Sequence, residues 1–563
     1  MSTTVMKPTL TLIATLLLAP LTALPAAEPL RLSPEHIAAV NQQRRIFFQY
    51  DPHDFEVSLH GKDIDVLMRL RFGYIDQPGS QVDALCYDWS NESAVPYESK
   101  ILPFIQHPGF LRWKAQGIDP IARMVAEAHK RGKEIWWNHR VNEVERGDGA
   151  PGKTGGGTDL DKLNPVKAQH PDWVIKSWWW QGNWNLAVPG VRAYKLGILK
   201  ELAERYDFDG IQLDFMRHTP HLPPGRQWEL RDGITQFITD VRHMLLQHGK
   251  ERGRPFLLAV RVNETLEGCR IDGYDVQEWA ARDLVDIIAL GTRTMNVDVA
   301  GFRKVVGTKN IKLMPSFDGI HATDAYWIQP IELLRGVYGN WWAQGADTVG
   351  TFNWDAASPS LARELGAQKA IWGDRPLLTD EQLLPRTLAV GEIGSAATLR
   401  GKPCFYAIER RGGYECGEGY YSLNEHAPLP VRLRNDGTAA ALNLPVWVKL
   451  PAGATATLRL VCFNLLPTDR LAVTLNGKPL TAAVTDDQWK DPLIFSPNPQ
   501  LPAWPASVLK DTSKQQLTRI EFPVSVTDLK QGSNALSVRV SQRGAFKPVY
   551  QIIQVEKVEL HVK

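Results

Sequence analysis

The stretch "YDFDGIQLDFMRH", residues 206–218, decides how the chain is read. Gly210-Ile211-Gln212-Leu213 has the pattern of a short buried strand entered from a turn. It delivers a carboxylate, Asp214, at its exit, with Arg217 and His218 just beyond. In a packed core that placement is costly, because an unpaired buried carboxylate loses its hydration. At the C-terminal mouth of a parallel barrel it is where chemistry is done.

Outward from that stretch, one unit recurs between residue 44 and about residue 375: an apolar run, a polar loop, an amphipathic helix. The strand candidates are 44–52, 82–90, 133–143, 208–217, 255–264, 284–294, 310–319 and 347–356. Eight such strands predict a (β/α)8 barrel across residues 28–378. A doubly wound sheet is the alternative, but no strand is followed by a Gly-x-Gly-x-x-Gly turn. Residues 379–563 change texture to short alternating segments and read as an all-β sandwich or jelly roll. Asn476-Gly477 marks a two-residue hairpin turn there. A carbohydrate-binding role is open for this region, which is expected to sit on the barrel's flank and be dispensable for chemistry.

Lys7 precedes the apolar run "LTLIATLLLAPLTAL", and small residues follow at Ala26 and Ala27. Residues 1–27 are therefore expected to be a signal peptide directing export to the periplasm or outside the cell. No later segment has the ~18 continuous apolar residues of a membrane span. The formal net charge of +2 creates no field for gathering nucleic acid, so none is expected as a partner. Five cysteines are too few for a disulfide scaffold, although Cys404 and Cys416 flank a hairpin-like segment and could pair. No Cys/His spacing suggests zinc, and no metal or cofactor is expected. "GDGAPGKT" (147–154) matches the phosphate-loop pattern. The residues after Lys153-Thr154 are too rich in glycine to open a helix, so no nucleotide site is expected.

Polar groups collect at the C-terminal ends of the proposed strands: Asp51, Asp88, Asn138, His139, Arg140, Asp214, Arg261, Asn263, Glu264, Arg293, Asp318 and Asp355. Singly, each reads as a capped loop residue. Together they fall where barrel enzymes build their sites, and all but Asp214, Glu264 and Asp318 are expected to bind substrate. Sixteen of the nineteen tryptophans precede residue 380, and Trp89, Trp178 to Trp180, Trp184 and Trp354 follow strands. Indole faces stack on the apolar C–H faces of sugars, so Trp89, Trp180, Trp184 and Trp354 are expected as sugar contacts. Trp136, Trp341 and Trp342 are expected in the core.

"VPGVRAYKLGILKELAERYDFDGIQLDF" resembles the central signature of the family 10-like bacterial glycosyl hydrolases. The matching positions are Pro189, Val191, Arg192, Tyr206, Asp207, Asp209, Gly210, Ile211 and Asp214. The resemblance implies a (β/α)8 barrel and hydrolysis of glycosidic bonds. Phe215-Met216-Arg217-His218 departs from the family's usual second Asp and Tyr-rich stretch, so the sugar does not carry over. Such hydrolysis takes two carboxyl groups. Asp214 is expected as the nucleophile, accessible within the deepest cleft and kept ionised by Arg217. Glu264 is expected as the acid/base, since adjacent strand ends allow the ~5 Å of a retaining pair. Asp318 is the rival second carboxyl and suits a wider, inverting pair. His139, Arg140, Arg217, His218 and Asn263 would bind hydroxyls, or an anionic substituent if the glycan is sulfated or a uronate. A non-catalytic glycan-binding barrel and an adhesion protein are the alternatives. Oligomeric state is not legible.

Overall fold

A computed structural model describes residues 29–50, 61–89, 93–142, 164–176, 182–291, 294–318, 326, 329–354, 358–367, 380–410, 427–494, 515–544 and 552–563. Residues 1–27, expected as a signal peptide, the "GDGAPGKT" stretch and Cys416 lie outside these residues.

Eight parallel strands close into a barrel. They are β1 (Ile46–Tyr50), β2 (Val82–Asp88), β3 (Glu134–Arg140), β4 (Gly210–Asp214), β5 (Leu257–Val262), β6 (Ile287–Leu290), β7 (Lys312–Asp318) and β8 (Val349–Phe352). Neighbours follow chain order, and β8 pairs with β1. Every residue of β4 and β5 is buried. Helices cover one face and the packed interior the other, so these strands read as almost unbroken apolar runs. The helix preceding β4, α1 (Pro189–Arg205), opens with Pro189 in its first turn, where the missing N–H costs nothing.

Phe47, Trp136, Ala259 and Met314 belong to the apolar cluster inside the barrel. The signature glycine has a packing reason here. A Cβ on Gly210 would lie 2.2 Å from Trp136 Cζ3, so only glycine lets that ring cross the neighbouring strand. The paired residues advance by about one position per strand, the stagger of a barrel with a shear of ~8. Followed round the barrel, the pairings put Asp88, Gly291 and Phe352 in the interior layer of Asp214. Arg140 and Asp318 stand one layer further out, with Asn263 just past the end of β5. The fourth position of that outer layer falls on Asp51, outside the described residues.

Residues 379–399 do not belong to an all-β region. After α2 (Ile331–Ala343) come α3 (Asp380–Ala389) and α4 (Ala396–Leu399). This segment is tied to the barrel: Gly394 N donates to Gln81 Oε1 at 2.7 Å, and Trp342 Nε1 to Ile393 O at 2.7 Å. The sheets begin at β9 (Cys404–Ala407). One is antiparallel and contains β9, β18 (Gln554–Val562), β12 (Ala456–Phe463), β16 (Leu517–Val524) and β15 (Val484–Asp486), with β10 (Val431–Arg432) alongside β18. The other contains β11 (Ala440–Val446), β17 (Gly532–Gln542), β13 (Arg470–Leu475) and β14 (Lys478–Leu480). Residues of both sheets share one apolar core, as in a sandwich. Asn476 (φ 52°) and Gly477 (φ 84°) join β13 to β14 in the tight turn expected for this pair.

The sandwich docks on α2. Asn340 Nδ2 donates to Pro445 O at 3.0 Å, and Trp447 N donates to Asn340 Oδ1 at 2.8 Å. A Cβ on Gly336 would meet Phe405 O at 2.0 Å, so α2 and β9 touch backbone to backbone. Among the described residues, no helix is long and apolar enough to cross a membrane.

Candidate active site

The barrel interior becomes polar at Gln49, Gln212 and Asn138. Gln212 Nε2 donates to Gln49 Oε1 at 3.0 Å and to Asn138 Oδ1 at 2.7 Å. These amides carry two buried acids. Asp88 is held tightly: Asn138 Nδ2 reaches it at 2.8 Å, Gln49 Nε2 at 3.0 Å and Arg140 Nε at 3.0 Å. Asp214 is held differently. Met216 N donates to its Oδ1 at 3.0 Å, but among the described residues Oδ2 has only long contacts, Asn138 Nδ2 at 3.4 Å and Arg261 Nη1 at 3.5 Å. Arg261 also donates to Gln49 Oε1, and its guanidinium lies over the Phe352 ring at 4.8 Å.

Three expectations change at this point. Asp214 ends the fourth barrel strand as expected, but it is 1% exposed rather than open in a cleft, because the outer layer stands above it. The cation recorded beside it is Arg261, cast in the sequence reading as a sugar ligand. Asp88, Asn138 and Arg261 present no surface, so they act as an internal frame rather than as direct sugar contacts.

Asp318, the last residue of β7, is fully buried and accepts from Asn353 Nδ2 at 3.2 Å. Glu264 lies two residues past β5, whereas Asp214 pairs with Arg261. Glu264 is thus up to about 10 Å further along the strand direction. Its side chain leans towards the exit of β6, where a Cβ on Gly291 would lie 2.6 Å from Glu264 Cγ. Asn263 Nδ2 donates to Asp272 Oδ2 at 2.6 Å.

On the outer side of β3, Trp89, Trp137, His139, Tyr194 and Lys195 line a narrow recess of about 30 Å³. Arg140 reaches it too. Burial, with Lys195 nearby, holds the His139 imidazole well below its ordinary range, so it is neutral. Trp89 donates to Ala94 O at 3.0 Å and keeps a ring edge in the recess. Half-buried Arg217 and nearly buried His218 follow β4. Asn142 and Asn183 both clamp that loop, donating to His218 O at 3.1 and 2.6 Å.

Trp184 and Trp354 are corrections. Both are fully buried and offer no face to a sugar. Trp184 sits beneath Lys167 and Lys195, with ammonium groups 4.8 and 5.3 Å from its ring, and Trp354 packs on Tyr338. Trp136 and Trp341 are core residues as expected, and Trp342 is half-buried against Ile393. Asp51, Trp180, Arg293 and Asp355 lie outside the described residues.

Sequence reasoning missed Gln49, Gln212, Asn142, Asn183 and Glu409. The first two carried a signal, an amide in the middle of a strand buried on both faces. The other signature residues prove structural. Arg192 Nη1 donates to Leu186 O at 2.7 Å, Tyr206 OH to Asp119 Oδ2 at 2.7 Å, and Asp209 Oδ2 accepts from Ile135 N at 2.8 Å.

Residues 74–228 match the family model "Glycosyl hydrolase-like 10". That span holds Asp88, His139 and Asp214 but ends before Glu264 and Asp318. The chain is 30% identical over 245 residues to the glycosyl hydrolase YngK of Bacillus subtilis (strain 168), an alignment covering 41% of each protein. Among solved structures it is similar to the glycoside hydrolase domain of PgaB (BpsB) from Bordetella bronchiseptica. That match has 13% identity and a TM-score of 0.36, and covers 58% of this chain and 99% of that one. Alpha-L-fucosidase isoenzyme 2 from Paenibacillus thiaminolyticus matches at 12% identity with a TM-score of 0.39, covering 65% and 51%. The sequence matches make part of the barrel similar to glycosyl hydrolase-like proteins, and the chain spans less than half the length of the curated relative it matches.

Proposed function

We propose that the protein is an exported glycoside hydrolase working at the C-terminal mouth of the barrel, with Asp214 and Glu264 as its catalytic carboxyl groups. The observation that carries the reading is the contrast between two buried acids. Asp88 has short contacts from three side chains, whereas Asp214 Oδ2 is held only at 3.4 and 3.5 Å. An oxygen bound that slackly can exchange its partners for a substrate, and catalytic hydrogen bonds commonly tighten only in the complex. The wide offset of Glu264 favours inversion, which needs room for a water between the carboxyls. Asp214 takes a proton from that water as it attacks the anomeric carbon. Glu264 gives its proton to the departing glycosidic oxygen as the C–O bond breaks. Asp318 is the competitor for Glu264's role. His139, Arg140, Arg217 and His218 bind hydroxyls or an anionic substituent, whereas Asn263, fully buried and bound to Asp272, orients the loop after β5. Export rests on the N-terminal apolar run alone.

A non-catalytic glycan-binding barrel is the second reading. It is favoured by the burial of Asp214, Glu264 and Asp318, none more than 2% exposed. One experiment separates the two: wild type and Asp214→Asn against a panel of neutral, uronate and sulfated polysaccharides, with reducing ends and binding both measured. The hydrolase reading expects release by wild type and a loss of roughly 10²–10⁴-fold in the variant, measured well below its melting temperature. Binding by both proteins without release would establish the second reading. Product of retained configuration by NMR would overturn inversion, and a silent Glu264→Gln beside an inactive Asp318→Asn would move the acid to Asp318.

A further inference from the structure

The loop that leaves β4 at Asp214 carries Arg217 and His218, and its path is fixed at both ends and in the middle. Phe215 N donates to Arg261 O at 3.1 Å, and Phe215 O accepts from Tyr274 OH at 3.1 Å. The same hydroxyl meets His221 Nδ1 at 3.1 Å, and Leu186 N donates to His221 O at 3.0 Å. Between these ties stand two asparagines. Asn142 Nδ2 donates to His218 O at 3.1 Å and to Pro220 O at 3.2 Å. Asn183 Nδ2 donates to the same two oxygens, at 2.6 and 3.0 Å. An amide nitrogen has two hydrogens, so each asparagine commits both to this pair of carbonyls. Asn142 Oδ1 accepts in turn from Trp184 N at 2.8 Å, which joins the two clamping segments to each other. Both asparagines are buried, so water does not compete for the loop.

The clamp closes on a histidine in the left-handed region. His218 has φ 50°, a conformation that glycine takes freely and other residues only at a cost. Such strain persists where the surroundings over-determine it, and it gathers at sites that need one side-chain direction. We propose that Asn142 and Asn183 are positioning residues for His218: by fixing its backbone they aim its imidazole at a hydroxyl of the glycan bound beside Asp214. This rests on the barrel mouth being the glycan site with Asp214 in it, as argued above. Asp214 takes its own backbone bond from Met216 N, ahead of the clamped carbonyls. The clamp therefore sets how tightly the glycan is held, not how fast its bond is cut.

The test is a double-mutant cycle in the full chain, on the panel polysaccharide from which wild type releases most reducing ends. All rates are taken well below the melting temperature of the weakest variant. Asn183→Ala leaves each carbonyl its bond from Asn142, so neither oxygen is stranded. Its KM should rise about 5-fold while kcat changes less than about threefold, the mark of lost uniform binding. His218→Ala should raise KM by about 10-fold. The double variant should be no worse than His218→Ala, because a clamp acting through one side chain is silent once that side chain is gone. Asn142→Ala should give the same pattern, and it carries the test if Asn183→Ala folds poorly. KM effects that multiply in the double variant would show that the clamp does not act through His218, and the proposal falls. It falls equally if melting temperature drops with KM unmoved, the result of a plain structural brace, or if kcat alone drops. If wild type releases no reducing ends from any panel polysaccharide, the hydrolase reading fails, and the positioning role with it. If release occurs and the KM effects multiply, only the clamp proposal fails.

Discussion

Arg261 and Asp214 meet at 3.5 Å with side chains only 1% and 2% exposed, so each charge depends on the other and on the amides around them. Removing one member of a buried pair leaves the other uncompensated, which costs about 3–5 kcal/mol. Arg261→Ala should lose that much in guanidinium unfolding. Asp214→Asn, which keeps an oxygen for Met216 N, should lose distinctly less. A second residue-scale prediction concerns His221. Burial, with Lys195 and His218 adding to it, lowers its imidazole to about 3. The unfolded chain protonates this group near 6.5 while the fold does not, so stability falls as pH drops through that window. Its share should reach about 2 kcal/mol between pH 6.5 and 5. His221→Asn should remove that share, read as the difference between the two proteins' unfolding free energies at each pH. The buried Glu409 carboxyl, pushed up to about 8 by burial, gives a slope of the opposite sign, so only variant differences separate the two.

The barrel strands owe their register to what crosses between them. Trp136 of β3 lies over the backbone of Gly210 at the start of β4, with no room for a methyl group. Gly210→Ala should overpack that contact and cost about 1–3 kcal/mol in urea unfolding. Gly61→Ala, where a Cβ meets nothing within 4 Å, should stay within about 0.5 kcal/mol. A destabilised Gly61 variant with an unaffected Gly210 variant would refute this account of the signature glycine. Each of the eight strands falls inside the segment read for it, because β-branched and aromatic runs bounded by turns survive any tertiary arrangement. The strand ends were less legible. Asn263 and Glu264 lie beyond β5, because a strand stops where its neighbour's pairing stops, not where its own pattern does.

For the whole molecule, the seam between barrel and sandwich is the decisive contact. Asn340 satisfies Pro445 O and Trp447 N together, and α2 meets β9 with no side chain between them. Asn340→Ala should cost about 1–2 kcal/mol, since two half-buried backbone groups lose their partner. A chain ending near residue 400 exposes this face of α2 and loses Glu409. It should therefore bind an apolar dye and melt well below the full-length protein. A truncate as stable as the whole chain, with the same pH profile, would show that the two parts are independent.

Barrel, sandwich and the acid at the end of the fourth strand were determined by the sequence alone, because hydrophobic period and turn chemistry are local properties that any packing must respect. The tertiary structure alone decided which polar groups work together. Asp88 and Asp214 look alike as strand-end acids, and only the amides of Gln49, Asn138 and Gln212 make one tight and the other slack. Trp184 and Trp354 follow strands like any sugar platform, but their burial depends on residues far along the chain. Glu409 is 115 positions from Thr294, whose hydroxyl donates to it, and nothing local marks it. Electrostatic coupling depends on distance and burial in space, and neither is written in the order of the residues.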